Sequence, residues 1–224
     1  IGLLATGVGL VLILLLALSI RKGKRESDKL LHNILPMEVA AELKSKGKAV
    51  SKKFDNITVL FTDFKGFTAI AEKLEPQELV DDLNIYFSAF DAIMEKYGVE
   101  KIKTIGDAYM AVSGLPKSDP KHAENVLKAS LEMVQFMKER KERVGEDTFE
   151  IRIGIHSGNV IAGIVGTHKY AYDIWGDTVN TAARMEQNSL PGRINVSNVS
   201  YEHLKHTVEF TYRGELPAKN KGAL

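Results

Sequence analysis

The sequence predicts an α+β fold, a sheet covered by helices. Two observations support this prediction: strand-like and helix-like segments are mixed along the chain from residue 54 onwards, and several strands are joined by tight turns. Gly106-Asp107 and Ser157-Gly158 each join two strand-like segments into a predicted hairpin. The predicted strands lie at 57–62, 99–105, 108–112, 149–156, 159–165, 194–197 and 208–213, and the predicted helices at 76–96, 122–144 and 178–188.

Local patterns justify these elements in chain order. Residues 57–62 (ITVLFT) form an apolar run typical of a buried strand. Pro76 opens the first long amphipathic helix, since proline fits the first helical position. Residues 149–156 (FEIRIGIH) alternate between apolar and other side chains, which is the period of a strand.

Composition narrows the classes of protein that this chain can belong to. Its 224 residues, 44% hydrophobic and 26% charged, leave room for one full domain and an appendage. The absence of cysteine excludes a disulfide scaffold, a thiolate metal site and a cysteine nucleophile. The sequence also lacks the GxxxxGK[ST], HExxH and GxSxG patterns of P-loop NTPases, zinc proteases and serine hydrolases.

The charge is distributed unevenly. Residues 21–53 contain ten basic and four acidic side chains, whereas residues 54–224 contain 20 basic and 25 acidic ones. A protein that binds nucleic acid normally has its positive charge on the folded domain. Here the positive charge follows an apolar segment, which indicates a membrane surface as the partner and argues against nucleic acid.

Residues 1–20 contain no charged side chain and would span roughly 30 Å as a helix, the thickness of the hydrocarbon core of a bilayer. Four basic residues follow directly: Arg21, Lys22, Lys24 and Arg25. This pattern predicts a transmembrane helix in contact with lipid, with the rest of the chain in the cytoplasm. The alternative is a buried core helix.

A short amphipathic connector is expected between the membrane helix and the α+β domain. Its first apolar stripe consists of Leu30, Leu31, Ile34 and Leu35, and a second helix would start after Pro36 and end at Gly47. The connector would pair with its copy in a dimer or pack on its own domain. The predicted domains are therefore a transmembrane helix (1–20), a basic juxtamembrane segment with the helical connector (21–53) and the α+β domain (54–224).

Two aspartates follow strand-like segments. Asp63 ends the first strand, and Asp107 lies at the tip of a predicted hairpin. Two carboxylates from adjacent strands suit a hard divalent cation and a triphosphate. The loop after Asp63, formed by Phe64, Lys65, Gly66, Phe67 and Thr68, leads into a helix and offers backbone N–H groups to a phosphate. The alternative is that both aspartates only form turns or cap helices.

A second candidate cluster lies in the segment from Tyr172 to Arg184. Asn180 and Arg184 are four residues apart and would project from one face of a helix. An amide beside a guanidinium suits a sugar and a phosphoryl group. A solvated helix face would have the same pattern.

At these residues the sequence resembles a class III nucleotidyl cyclase, the family of the adenylyl and guanylyl cyclases. The matching stretches are FTDFKGFT, KIKTIGDAYMAVSGLP, GIHSGNVIAGIVG and YDIWGDTVNTAARME, and LLHNILPMEVAAELK resembles the helical connector before such domains. The resemblance covers roughly residues 29–224. It implies a ferredoxin-like α+β domain that works as a head-to-tail homodimer with active sites at the interface.

The resemblance also assigns the metal and phosphate contacts. Asp63 and Asp107 would hold two Mg²⁺ or Mn²⁺ ions, helped by the Phe64 carbonyl. Lys219 matches the lysine that contacts the terminal phosphates, but the segment KNKG differs from the usual KGKG. The assignment therefore stays open between Lys219 and Lys221.

The remaining assignments concern the nucleoside and the transition state. Asn180 would orient the ribose, Arg184 would stabilise the phosphate in the transition state, and Lys103 and Asp173 would contact the purine. Asp173 can accept from the adenine N6 amino group and Lys103 can donate to N1, whereas guanylyl cyclases typically have cysteine and glutamate at these positions. The expected activity is conversion of ATP to 3′,5′-cyclic AMP and pyrophosphate. The alternatives are a guanylyl cyclase and a non-catalytic cyclase-like module.

Overall fold

The computed structural model describes residues 2–145, 148–166, 168–215, 217–218 and 222–223, and side chains from residue 13 to residue 215 within those ranges. The chain divides into two units. One comprises residues 1–49 with 166–172, and the other comprises residues 50–165 with 173–224. All predicted site residues with described side chains lie in the second unit.

The first unit contains two helices. Helix α1 spans Gly2–His32 and helix α2 spans Met37–Lys46. Gly47 ends α2 in a left-handed conformation, with its N–H donating to the Leu43 carbonyl. Within the part of the chain that the structure describes, no helix is both long and apolar enough to cross a membrane. The side chains of residues 1–12, most of the predicted membrane segment, lie outside the described residues.

The second unit is an α+β domain built on one sheet. Its strands pair in the order β2-β3-β1-β4-β5, and β6 pairs with β4 in parallel. The elements in chain order are β1 (Lys52–Lys65), α3 (Phe67–Ala71), α4 (Pro76–Tyr97), β2 (Glu100–Ile105), β3 (Ala108–Ser113), α5 (His122–Val144), β4 (Glu150–Val165), β5 (Ala171–Trp175), α6 (Asp177–Gln187), β6 (Ile194–Val196) and α7 (Asn198–Leu204). Two short strands, β7 (Pro217–Ala218) and β8 (Gly222–Ala223), pair with each other.

The two faces of the sheet have different roles. Alternate residues of β1 and β4, among them Leu60 and Ile153, are fully buried in a core shared with α4 and α5. Phe64 belongs to this core face, where its ring lies 5.2 Å from Tyr86 and 5.0 Å from Phe149. Its neighbour Asp63 therefore points to the opposite face, which is the face that α6 covers.

The predicted hairpin at Ser157-Gly158 is wrong. Residues 150–165 form one continuous strand that pairs with β1 from Lys65↔Glu150 to Lys52↔Ala162. The glycine at position 158 serves close packing and not a turn, because a Cβ there would lie 2.5 Å from Thr178 Oγ1. From the sequence alone, Gly158 is compatible with either a turn or close packing.

Three smaller differences concern the C-terminal half. The predicted strand at 208–213 does not form, whereas β5 and α7 form without having been predicted. Helix α7 begins at a side-chain cap, since the Ser197 hydroxyl accepts from the backbone N–H of Ser200. Helices α4, α5 and α6 confirm the predicted helices to within one residue at each end.

Candidate active site

Asp63 lies opposite Arg152 across the β1–β4 ladder. The two residues are direct cross-strand neighbours, and Arg152 Nη2 lies 2.6 Å from Asp63 Oδ2. Both side chains are about three-quarters buried, with 25% and 24% of their surface exposed. The pair therefore concentrates charge on the sheet face that α6 covers.

Asp107 joins this cluster from the neighbouring hairpin. It occupies the turn between β2 and β3, which close on each other at Ile105↔Ala108. Burial, and next the negative charge of Asp63, raise the pKa of Asp107, and the Arg152 guanidinium opposes that rise. The two carboxyl groups therefore lie close enough for the charge of Asp63 to act on Asp107. The structure thus brings together the two aspartates that the sequence singled out.

This donor set fits a hard divalent cation. Two neighbouring carboxylates repel each other when both are ionised, and a divalent cation relieves that repulsion. Within the described residues, no group of three or more histidine, aspartate or glutamate side chains is arranged to hold a metal. Two carboxylates are nevertheless the usual protein share for Mg²⁺ that is also bound by substrate phosphates.

Glu186 lies beside the same cluster from helix α6. Its side chain is only 7% exposed, and its Oε1 lies 3.1 Å from Arg152 Nη2. Helix α6 approaches β4 so closely at Gly154 that a Cβ there would lie 1.9 Å from the Glu186 backbone nitrogen. Burial raises the pKa of Glu186 to about 7, while the charge of Arg152 opposes the rise.

Lys103 reaches the face of the sheet on which Asp63 lies, called the active face below, because of an irregularity in β2. The pairing of β2 with β3 shifts between Lys101↔Ala111 and Lys103↔Met110, so the two lysines face opposite sides of the sheet. Lys101 bonds to Asp91 of α4, whereas Lys103 Nζ donates to Asp173 Oδ2 over 2.5 Å. The predicted purine-binding residues therefore form an ion pair on one side of the sheet.

Asn180 and Arg184 lie on a different side of α6. The helix buries Thr178, Thr181, Ala182, Met185 and Glu186. Asn180 is exposed and Arg184 is partly buried, and both lie on the other side of the helix from Glu186. One chain thus directs Glu186 towards its own aspartates and directs the Asn180–Arg184 pair away from them.

The predicted phosphate loop precedes a very short helix. Gly66 is left-handed, with φ of 71°, and precedes α3 without a side-chain cap. Lys65 and Thr68 are exposed and Phe67 packs against the core, while Phe64 can offer only its backbone because its ring is buried. Lys219 and Lys221 lie outside the described residues.

Arg152 and Glu186 are functional residues that the sequence did not predict. Arg152 lies between Ile151 and Ile153 in a strand, so the alternation of the sequence predicts that its side chain points to the opposite face from these two isoleucines. Glu186 lies next to Met185 on a face that also contains Ala182, which is an unusual place for a carboxylate. A search for charges on apolar faces would have found both residues.

Comparison with known proteins identifies the family of this chain. Residues 49–224 match the family described as Adenylate and Guanylate cyclase catalytic domain. A receptor-type guanylate cyclase of Caenorhabditis elegans is 40% identical over 206 residues, 90% of this chain and 20% of the relative. An adenylate cyclase of Mycobacterium tuberculosis is 39% identical over 199 residues, 88% of this chain and 45% of the relative.

A solved structure is similar over most of the second unit. The catalytic core of a rhodopsin-guanylyl cyclase with converted specificity, in complex with ATPαS, is 37% identical with a TM-score of 0.74. The match covers 78% of this chain and 94% of that structure. This chain spans less than half the length of the two curated relatives above, which include one adenylate and one guanylate cyclase. The chain belongs to the family of class III adenylate and guanylate cyclase catalytic domains.

Proposed function

We propose that this chain is an adenylyl cyclase that converts ATP to 3′,5′-cyclic AMP and pyrophosphate. The observation that supports the choice of base is the Lys103–Asp173 ion pair on the active face. Adenine presents a donor at N6 and an acceptor at N1, which complement a carboxylate and an ammonium group. Guanine presents an acceptor at O6 and a donor at N1, so both contacts would pair like with like.

The aspartates provide the second part of the proposal. Asp63 and Asp107, with the Phe64 carbonyl, would hold two Mg²⁺ or Mn²⁺ ions. When bound, such ions supply Lewis acidity at the 3′-oxygen and neutralise charge on the triphosphate. The backbone of Lys65, Gly66, Phe67 and Thr68 would donate to phosphate oxygens, and Lys219 or Lys221 would contact the terminal phosphates.

Asn180 and Arg184 would orient the ribose and stabilise charge that grows on the α-phosphate during attack. They would serve the active site of a second copy of the chain. Their position on the other side of α6 from Glu186 supports this arrangement, since Glu186 lies beside the aspartates of its own chain. Two copies related by a twofold axis would then form two equivalent sites, each with aspartates from one protomer and the Asn180–Arg184 pair from its partner.

A guanylyl cyclase is the second candidate, because a guanylate cyclase is among the relatives 40% identical to this chain. The test is direct competition: the purified chain is incubated with equimolar ATP and GTP and Mn²⁺, and both cyclic products are quantified by mass spectrometry. We expect cyclic AMP to exceed cyclic GMP by at least about tenfold. An excess of cyclic GMP would support the second candidate, and Arg184→Ala is the control for background activity.

Membrane attachment through residues 1–20 is also part of the proposal, with the catalytic domain in the cytoplasm. The uncharged apolar sequence and the four basic residues that follow it support this placement. After expression in bacteria, the full chain should sediment with membranes after an alkaline wash, and a chain that starts at Arg21 should stay in the supernatant. Equal sedimentation of both chains would contradict membrane attachment by this segment.

A further inference from the structure

One guanidinium is shared between two carboxylates at the edge of the aspartate pair. Arg152 Nη2 lies 2.6 Å from Asp63 Oδ2 and 3.1 Å from Glu186 Oε1. The contact with Asp63 is a hydrogen bond, whereas Glu186 Oε1 and Arg152 Nε are both buried without a hydrogen-bond partner among the described residues. The Glu186 carboxylate therefore has an unused acceptor close to a guanidinium that also has an unused donor.

The position of Glu186 is fixed by the backbone. Because Gly154 leaves no space between β4 and α6, the backbone of Glu186 rests directly on the strand that carries Arg152 two residues earlier. A Cβ at position 154 would also lie 2.6 Å from the Ala182 carbonyl oxygen. The Glu186 backbone therefore cannot move away from β4 without separating the helix from the sheet.

The sharing of Arg152 between two carboxylates affects how much negative charge Asp63 can offer to a cation. Asp63 is the residue that the proposed function uses as a metal ligand, and its Oδ2 is the oxygen that Arg152 holds. A guanidinium and a divalent cation compete for the same carboxylate oxygens. Arg152 can leave Asp63 only if another anion receives it, because an unpaired buried cation is costly. Glu186 is within reach and has an acceptor oxygen available.

Resting on the proposed function, we propose that Glu186 is a positioning residue that accepts the Arg152 guanidinium and thereby frees the Asp63 carboxylate for a divalent cation. Glu186 acts through Arg152 and is not itself a metal ligand in this account.

The test measures metal binding without catalysis. Mn²⁺ alone is titrated into the full chain, and the free-ion signal is followed by electron paramagnetic resonance. We expect Glu186→Gln to weaken Mn²⁺ binding about tenfold, the usual effect of removing a residue that orients a metal ligand. We expect Arg152→Gln to tighten binding or leave it unchanged, because the competing cation is gone.

The double variant distinguishes an effect of Glu186 through Arg152 from a direct effect of the negative charge of Glu186 on the cation. In the Arg152→Gln background, Glu186→Gln should change Mn²⁺ affinity less than about twofold, since there is no guanidinium left to receive. Equal weakening in both backgrounds would overturn the proposal, because it would show that Glu186 acts only through its own negative charge. Weaker binding in Arg152→Gln alone would also overturn it, and this second measurement does not depend on the folding of the Glu186 variant.

Two control variants distinguish an error in the role of Glu186 from an error in the proposed metal site. Asp82→Asn removes a similar partly buried carboxylate, 2.9 Å from Arg140 in the α4–α5 pair, and should leave Mn²⁺ binding unchanged. Asp63→Asn should abolish binding. If Asp63→Asn binds Mn²⁺ normally, the proposed metal site is wrong. If Asp63→Asn abolishes binding while Glu186→Gln binds like the wild type, only the role of Glu186 is wrong.

Discussion

Lys103 Nζ lies 2.5 Å from Asp173 Oδ2, although β2 and β5 are at opposite ends of the strand order. Four interstrand steps of about 4.8 Å would separate these strands in a flat sheet, which is more than the two side chains can bridge. The sheet must therefore be strongly twisted and curved. The curvature brings the two side chains together, whereas the shifted pairing in β2 sets the face on which Lys103 lies.

Exchanging this pair should alter base selectivity. In the double variant Lys103→Glu and Asp173→Cys, both adenine contacts are lost, so we expect weaker use of ATP and a rise of at least about tenfold in the kcat/KM ratio of GTP to ATP. The kinetics of both substrates are measured on the same preparation. An unaltered ATP preference would show that these residues do not contact the purine.

Removing either aspartate should stop the reaction without unfolding the domain. Asp63→Ala and Asp107→Ala each remove one of two proposed metal ligands, so we expect a loss of cyclase activity of at least about a thousandfold with Mn²⁺. The circular dichroism spectrum should match that of the wild type, because Glu186 remains within 3.1 Å to pair with Arg152 when Asp63 is removed. A variant that kept a tenth of the wild-type kcat would refute the assignment.

Gly154 should be intolerant of any side chain. A Cβ there meets backbone atoms of Glu186 and Ala182, which cannot move without displacing α6. We expect Gly154→Ala to lower the free energy of unfolding by about 3 kcal/mol or more, measured by urea denaturation. The control is Gly23→Ala, where no described neighbour outside the local helix lies within 4 Å of the added atom, and it should not destabilise the chain. Equal stability of both variants would contradict the close packing.

The pKa of Glu186 predicts a pH dependence of stability. Between the ordinary value of 4.5 and the folded-state value of about 7, the folded protein retains a proton that the unfolded chain has lost. The free energy of unfolding should therefore fall as the pH rises through this window, by up to about 3 kcal/mol from this group. Urea midpoints from pH 4 to pH 8 should fall less in Glu186→Gln than in the wild type. Parallel curves would show that Glu186 titrates normally.

The sequence predicted those parts of the site that depend on local pattern. Asp63 and Asp107 follow strand-like segments, so their proximity could be expected from adjacent strands. The side of the sheet on which Lys103 lies could not be predicted, because one shifted pairing in β2 reverses the alternation that the sequence suggests. Gly158 was misinterpreted for a related reason, since a glycine that admits a packed helix looks the same in sequence as one that forms a turn.

In the proposed function two copies of this chain share each active site, and complementation tests this arrangement most directly. Full chains carrying Asp63→Ala and Arg184→Ala are co-expressed, and cyclic AMP formation is measured in the purified mixture. Each variant alone should be inactive. A mixed dimer has one site with both lesions and one with neither, and random pairing makes about half the dimers mixed, so activity should recover to roughly a quarter of the wild type. No recovery, with mixed dimers confirmed by cross-linking, would mean that each site is built within one protomer.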